Sequence, residues 1–169
     1  KMVENPQIMR HAMEYAKMFD IPIINHPEDV HLKNSGIAHE SQFSTEKGLP
    51  ANPWISETIA LYRDLEIANY VKGKIHIPSI TCSQSVQLIK NYKDKNTDVT
   101  CEVSPQHLFF TDNDLENYDS NLKVSPPLRS KKDIESLIQG IKSGVIDCIA
   151  SNHFPVRFDD KDKDFYNAE

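Results

Sequence analysis

Four short apolar runs, at residues 21–25, 74–79, 99–103 and 145–150, recur at spacings of about 25 to 50 residues, with stretches of helical periodicity between them. That alternation leaves few folds open. Parallel strands need long crossover connections, and a helix is the usual crossover. The chain is therefore expected to form parallel βα units, with polar residues leaving the end of each strand.

The helical stretches carry their own boundaries. Asn5-Pro6 opens the first, with Asn as cap and Pro at the first helical position; Ile8, Met9, Ala12, Met13, Ala16, Met18 and Phe19 form its apolar stripe. Residues 54–71 form the clearest helix, with Ile59, Tyr62, Leu65, Ile67 and Ala68 as its apolar face and Gly73 as its C-terminal cap. Ser83 is expected to cap a helix running to about Lys95, with Val86, Leu88, Ile89 and Tyr92 inward. Ser130 is expected to cap a helix over 131–142, closed by Gly144. Residues 30–53 are polar, with Gly36, Gly48, Pro50 and Pro53, and read as an excursion over the mouth of the sheet with a short helix around 37–46. The charged tail from Arg157 reads as a solvated loop.

Size and charge exclude several classes. With 169 residues the chain is long enough for one domain, but a complete (β/α)8 barrel takes roughly 250. The net charge is −6, from 25 acidic and 19 basic side chains, and basic residues nowhere cluster beyond a pair. Nonspecific nucleic-acid binding depends on such clusters, so no nucleic-acid partner is expected. No apolar run is long enough for a membrane helix and no secretory leader opens the chain, which implies no membrane and a cytoplasmic location. Cys82, Cys101 and Cys148 are widely separated and read as buried free thiols.

Seven blocks then resemble, in order, the dihydroorotase family of the amidohydrolase superfamily. His26-Pro-Glu28-Asp29 resembles its HCED, Gly48-Leu-Pro its LGLP, and Glu57 with Arg63-Asp64 its E-x5-RD helix. Residues 75–79 resemble LHIAH, and Glu102-Val-Ser-Pro105-Gln-His107-Leu resembles EVTPHHL. Lys123-Val-Ser-Pro-Pro-Leu-Arg129 resembles KVNPPLR, and residues 149–156 resemble IATDHAPH. The tail, with Asp159-Asp-Lys161, Phe165 and Ala168, follows the EEK-x-x-x-F-x-x-A that comes next in the family. The resemblance covers nearly all of residues 1–169. It implies a single partial (β/α)8 barrel domain, roughly strands five to eight, with the family's first-strand HxH and metal-bridging residue lying upstream of Lys1.

The resemblance also assigns the site. His26 stands at a zinc-ligand position, Ser79 at a second where the family has His, and Asn152 at the Asp that is both ligand and general base. Ser125 and Val156 stand where the family has a substrate-binding Asn and His. A zinc site needs several N, O or S donors converging, and Asn lacks the basicity to take a proton from water. The family's cofactor is zinc, but no zinc is expected on this chain alone. The implied reading is a dihydroorotase-like protein of pyrimidine biosynthesis that has lost catalysis and serves as a structural partner, with aspartate carbamoyltransferase or another copy as companion. A working zinc dihydroorotase and an amidohydrolase with a shifted substrate stay open. Of the other histidines, His76 is expected to point away from Ser79, His31 and His39 to be exposed, His107 to pack, and His153 to point away from the site.

Overall fold

The computed structural model describes residues 2–168; Lys1 and Glu169, the ends of the expected domain, lie outside them. Helix α1 (Pro6–Lys17) starts as expected: the Asn5 side chain accepts from the amides of Gln7 and Ile8. It leads into strand β1 (Ile23–Ile24). The excursion that follows is more ordered than its composition suggested. It contains α2 (Val30–Lys33), β2 (Ala38–His39), α3 (Gln42–Glu46) and β3 (Ala51–Asn52). Strands β2 and β3 pair in parallel, Ala38 opposite Ala51. Gly36 permits this approach, because a Cβ there would sit 2.3 Å from the Ala51 carbonyl oxygen.

Next come α4 (Ile55–Val71), β4 (Ile75–Ile77), α5 (Ser83–Asp94), β5 (Val99–Val103), the single turn α6 (Gln106–Phe109), α7 (Lys131–Lys142), β6 (Cys148–Ile149) and α8 (Phe158–Lys161). The main sheet has the order β1-β4-β5-β6, with every pair parallel. It is the expected partial barrel: α/β, four parallel strands with helices over one face, and among the described residues β1 and β6 are its free edges. Met9, Met13, Leu61, Leu65, Ile75, Ile77, Ile89, Cys101, Val103 and Leu137 fill the core between strands and helices. Strand alternation sends His76 and Glu102 to the opposite, inner face.

Several local expectations are corrected. Cys82, not Ser83, is the N-cap of α5, and Ser83 is its first residue. The left-handed residue ending α4 is Lys72, at φ 57°, one position before Gly73. Ile59 and Tyr62 are half exposed rather than core, as are Ile8 of α1 and Phe19 just beyond that helix, and Met18 is more exposed still. The inner face of α4 instead buries Ser56, Glu57, Thr58 and Asp64 beside Leu61 and Leu65. Cys82 and Cys101 are buried free thiols, and burial pushes the Cys101 thiol up to about 12. Cys148 is exposed, because β6 is an edge strand. The tail is not simply solvated: Phe165 and Ala168 are buried, and Phe165 packs with Ala38, Leu49, Leu115 and Leu128 in a second cluster. Lys161 Nζ donates to the carbonyls of Ser120 and Lys123, fastening the tail to that loop.

Candidate functional site

The C-terminal ends of the strands meet at an open cleft of about 560 Å³. Its lining includes His26 just after β1, Ser79 just after β4, Glu102 on β5, Asn152 just after β6, and Ser125 from the loop before α7. Four of the five sequence-predicted positions therefore share one cleft. Val156 does not; it lines an adjoining cavity of about 460 Å³ with Ser104, His107, Lys123, His153 and Lys161, to which Ser125 and Asn152 also contribute. His153 lines this adjoining cavity and is not part of the cleft that holds His26, Ser79 and Asn152.

Ser79 and Asn152 both adopt positive φ, 53° and 46°. Left-handed backbone is unfavourable for most residues with a side chain, Asn tolerating it better than Ser. At Ser79 it also removes the residue from the pleat of β4, so alternation from His76 does not extend to it. His76 is held on the inner face, Nδ1 2.8 Å from Thr100 Oγ1 and Nε2 3.3 Å from Glu102 Oε2. Since the carboxylate only accepts, Nε2 carries the proton in that contact.

Two cleft residues were missed in the sequence. Lys33 Nζ lies 2.8 Å from Glu28 Oε2 and 3.3 Å from Ser125 Oγ, a residue 92 positions away across the mouth. Nothing in a polar loop distinguishes such a lysine. Glu102 was legible, because buried Val99, Cys101 and Val103 force it to the inner face. Among the described residues, no group of three or more His, Cys, Asp or Glu side chains is placed to hold a metal ion. At the three positions that the resemblance assigns to a metal, His26, Ser79 and Asn152, the donors are one imidazole, one hydroxyl and one carboxamide. That set does not fit zinc, which is usually bound by thiolate, imidazole or carboxylate.

Behind the cleft lies a dense polar lattice. Glu57 accepts from the Thr81 amide at 3.0 Å, Ser85 Oγ at 2.5 Å and the Thr81 hydroxyl. Arg129 Nε donates to Thr81 Oγ1 at 3.0 Å, and its Nη1 donates to the Asn52 carbonyl at 2.8 Å and to His39 Nδ1 at 3.2 Å. His39 is therefore buried rather than exposed; burial and then Arg129 lower its pKa and keep the ring neutral. Glu28 accepts from Asn52 Nδ2 at 3.2 Å as well as from Lys33. His107 is packed as expected, Nε2 donating to the Pro126 carbonyl at 3.1 Å and Nδ1 meeting Ser104 Oγ at 2.7 Å; burial lowers its pKa too. Arg63 and Asp64 are a clamp. Asp64 accepts from Asn25 at 2.6 Å and pairs with Arg63, whose Nη atoms donate to the carbonyls of Val3 and Glu4. Burial raises the pKa of Asp64 despite these partners.

The comparisons with known proteins agree with this architecture. No protein-family model matches the chain. It is 42% identical over 163 residues to a dihydroorotase of Ruminiclostridium cellulolyticum, covering 96% of this chain and 38% of that protein. It is 41% identical over 166 residues to a dihydroorotase of Carboxydothermus hydrogenoformans, covering 98% and 39%. The chain thus spans about two fifths of the length of the curated relatives it matches. Among solved structures it superposes on L-hydantoinase (dihydropyrimidinase) from Arthrobacter aurescens with a TM-score of 0.84 at 22% identity, over 99% of this chain and 40% of the other. D-hydantoinase from a Bacillus species gives 0.83 at 20% identity, over 98% and 38%. Over nearly all its length the chain is similar in sequence to dihydroorotases, and its fold is that of part of the larger solved hydantoinase structures.

Proposed function

We propose that this is a dihydroorotase-like protein of pyrimidine biosynthesis whose metal and catalytic site is eroded, and which persists as a structural partner instead of an enzyme. The observation that carries the reading is the content of the cleft. His26, Ser79 and Asn152 stand where three strands end, but only His26 offers a strong zinc donor. Zinc, where the family holds it, polarises a carbonyl and supplies hydroxide at neutral pH. Asn152 cannot take the proton from an attacking water, and Ser79 keeps its own proton. The Lys33 ammonium, anchored on Glu28, adds a fixed positive charge at the same mouth. Ser125 and Val156 replace the groups that would orient a cyclic amide and its carboxylate. Residues 1–169 act as one partial-barrel domain in this reading, located in the cytoplasm, with aspartate carbamoyltransferase or another copy as partner.

A second reading, a working zinc dihydroorotase that interconverts dihydroorotate and carbamoyl-aspartate, draws support from Glu102, a carboxylate lining the same cleft as His26. Hydrolysis of dihydroorotate at alkaline pH with added zinc, alongside metal analysis, separates the two. The expected result is no turnover above background. Asn152→Asp alone is not expected to restore it, because positions 79, 125 and 156 remain changed. Robust turnover that His26→Ala abolishes would sink the eroded-site reading and establish the zinc enzyme.

A further inference from the structure

The excursion over residues 30–53 rests on a hydrophobic cluster of its own. Ala38 and Leu49 pack with Leu115, Leu128 and Phe165, whereas the main core between sheet and helices takes, among the described residues, none from the excursion. Both strands of the excursion meet one nitrogen. Arg129 Nη1 donates to the Asn52 carbonyl of β3 at 2.8 Å and to His39 Nδ1 of β2 at 3.2 Å. A guanidinium only donates, so Nδ1 is the bare ring nitrogen and the ring is neutral. A proton added there turns the acceptor into a donor and sets two cations 3.2 Å apart in a buried site. The other charges that face the ring are Asp112 beyond α6, Asp133 on α7 and the neighbouring Glu40. Asp112 already accepts from Ser41 at 2.8 Å, Asp133 from Ser130 at 2.6 Å, and Glu40 is exposed. All three favour a charged ring, yet burial and then Arg129 outweigh them and lower its pKa.

We propose that the His39–Arg129 contact is an acid-released latch: when His39 gains its second ring proton, residues 30–53 leave the mouth of the cleft while the main sheet stays folded. Separate clusters allow one part to open without the other. Lys33 travels with the excursion, so the cleft loses its fixed ammonium in the same step. The released chain takes the proton at the ordinary histidine pKa of about 6.5 and the latched ring only at lower pH, so acid favours release below about 6.5. His39, Asn52 and Arg129 are each less than a tenth exposed, and none lies on an edge strand of the main sheet. The latch requires neither zinc nor turnover in the cleft.

Hydrogen exchange of the purified protein from about pH 7.5 to about pH 5, corrected for the intrinsic rate at each pH, tests it. Protection of the Ile37 and Leu49 amides in the excursion should fall about tenfold per pH unit below about 6.5, while the Ile75 amide of the main sheet keeps its protection. His39→Gln retains an acceptor for Arg129 and cannot take a charge, so its excursion should stay protected throughout. Should that variant unfold, the His39 ring of the parent decides: its imidazole resonances must titrate over the range in which Ile37 and Leu49 lose protection. Loss at Ile75 in step with Ile37 overturns the latch, as does an excursion in the parent that ignores pH. So does a response that persists in His39→Gln, or a ring that titrates outside the range of release.

Discussion

The two sides of the strand ends differ in how their polar groups are held. On the helix side, Glu57, Thr81, Ser85, Arg129, Asn52 and His39 are each less than a tenth exposed and are joined through hydrogen bonds. On the cleft side, Ser125 is met only weakly by Lys33, and Asn152 stands exposed on left-handed backbone. Buried polar groups must be paired or they cost free energy, whereas groups facing an open cleft can be exchanged without that penalty. The lattice is constrained by folding. The cleft residues are free to change whenever function stops constraining them.

Glu57→Ala should break that contrast most severely. It strands three buried donors, the Thr81 amide and hydroxyl and the Ser85 hydroxyl, and a loss of about 3–5 kcal/mol is expected in urea unfolding. Arg63→Ala should cost less, about 1–3 kcal/mol, since the clamp on Val3 and Glu4 is partly exposed but leaves Asp64 buried beside Asn25 alone. Acid should act on the lattice as well. His39 and His107 have folded-state pKa values below their unfolded ones, so the unfolded chain binds more protons as pH drops through the ordinary histidine range. Their contribution is fully present above that range and is lost as pH falls below it; His107→Gln should flatten this slope. At the far end, Ser125→Ala, at an exposed cleft position, should move stability by no more than ~0.5 kcal/mol. A large cost there would show that the cleft is held by contacts as firmly as the lattice.

The legibility of the sequence divides along the same line. Parallel βα alternation, the caps at Asn5 and Ser130 and the closing turn at Gly144 were readable because each depends on a few neighbouring residues. The motif positions His26, Ser79, Ser125 and Asn152 were readable through resemblance, and the fold does bring them together. The buried face of α4 was not. Apolarity pointed to Ile59 and Tyr62, but the start of that helix faces the lattice and its middle faces Asn25, so it must present Ser56, Glu57 and Asp64 inward. His39 was misplaced for the same reason, since its burial depends on Arg129, 90 residues away. The tail misled because Phe165 and Ala168 are sparse among charges and find their partners only in tertiary contact.

One carboxylate has a consequence for how the molecule breathes. Asp133 Oδ1 accepts from the Ser83 amide at the start of α5, while Oδ2 accepts from Ser130 at the start of its own helix, α7. Burial works against its charge, but these hydrogen bonds hold the carboxyl below the usual carboxylate range. Two helix beginnings, linked by a contact between residues 50 apart, thus share one anchor. Neither first turn can fray without loosening the other, so their amides should exchange with solvent deuterium as one cooperative unit rather than as two. The pair is a single dynamic element assembled from distant stretches of sequence.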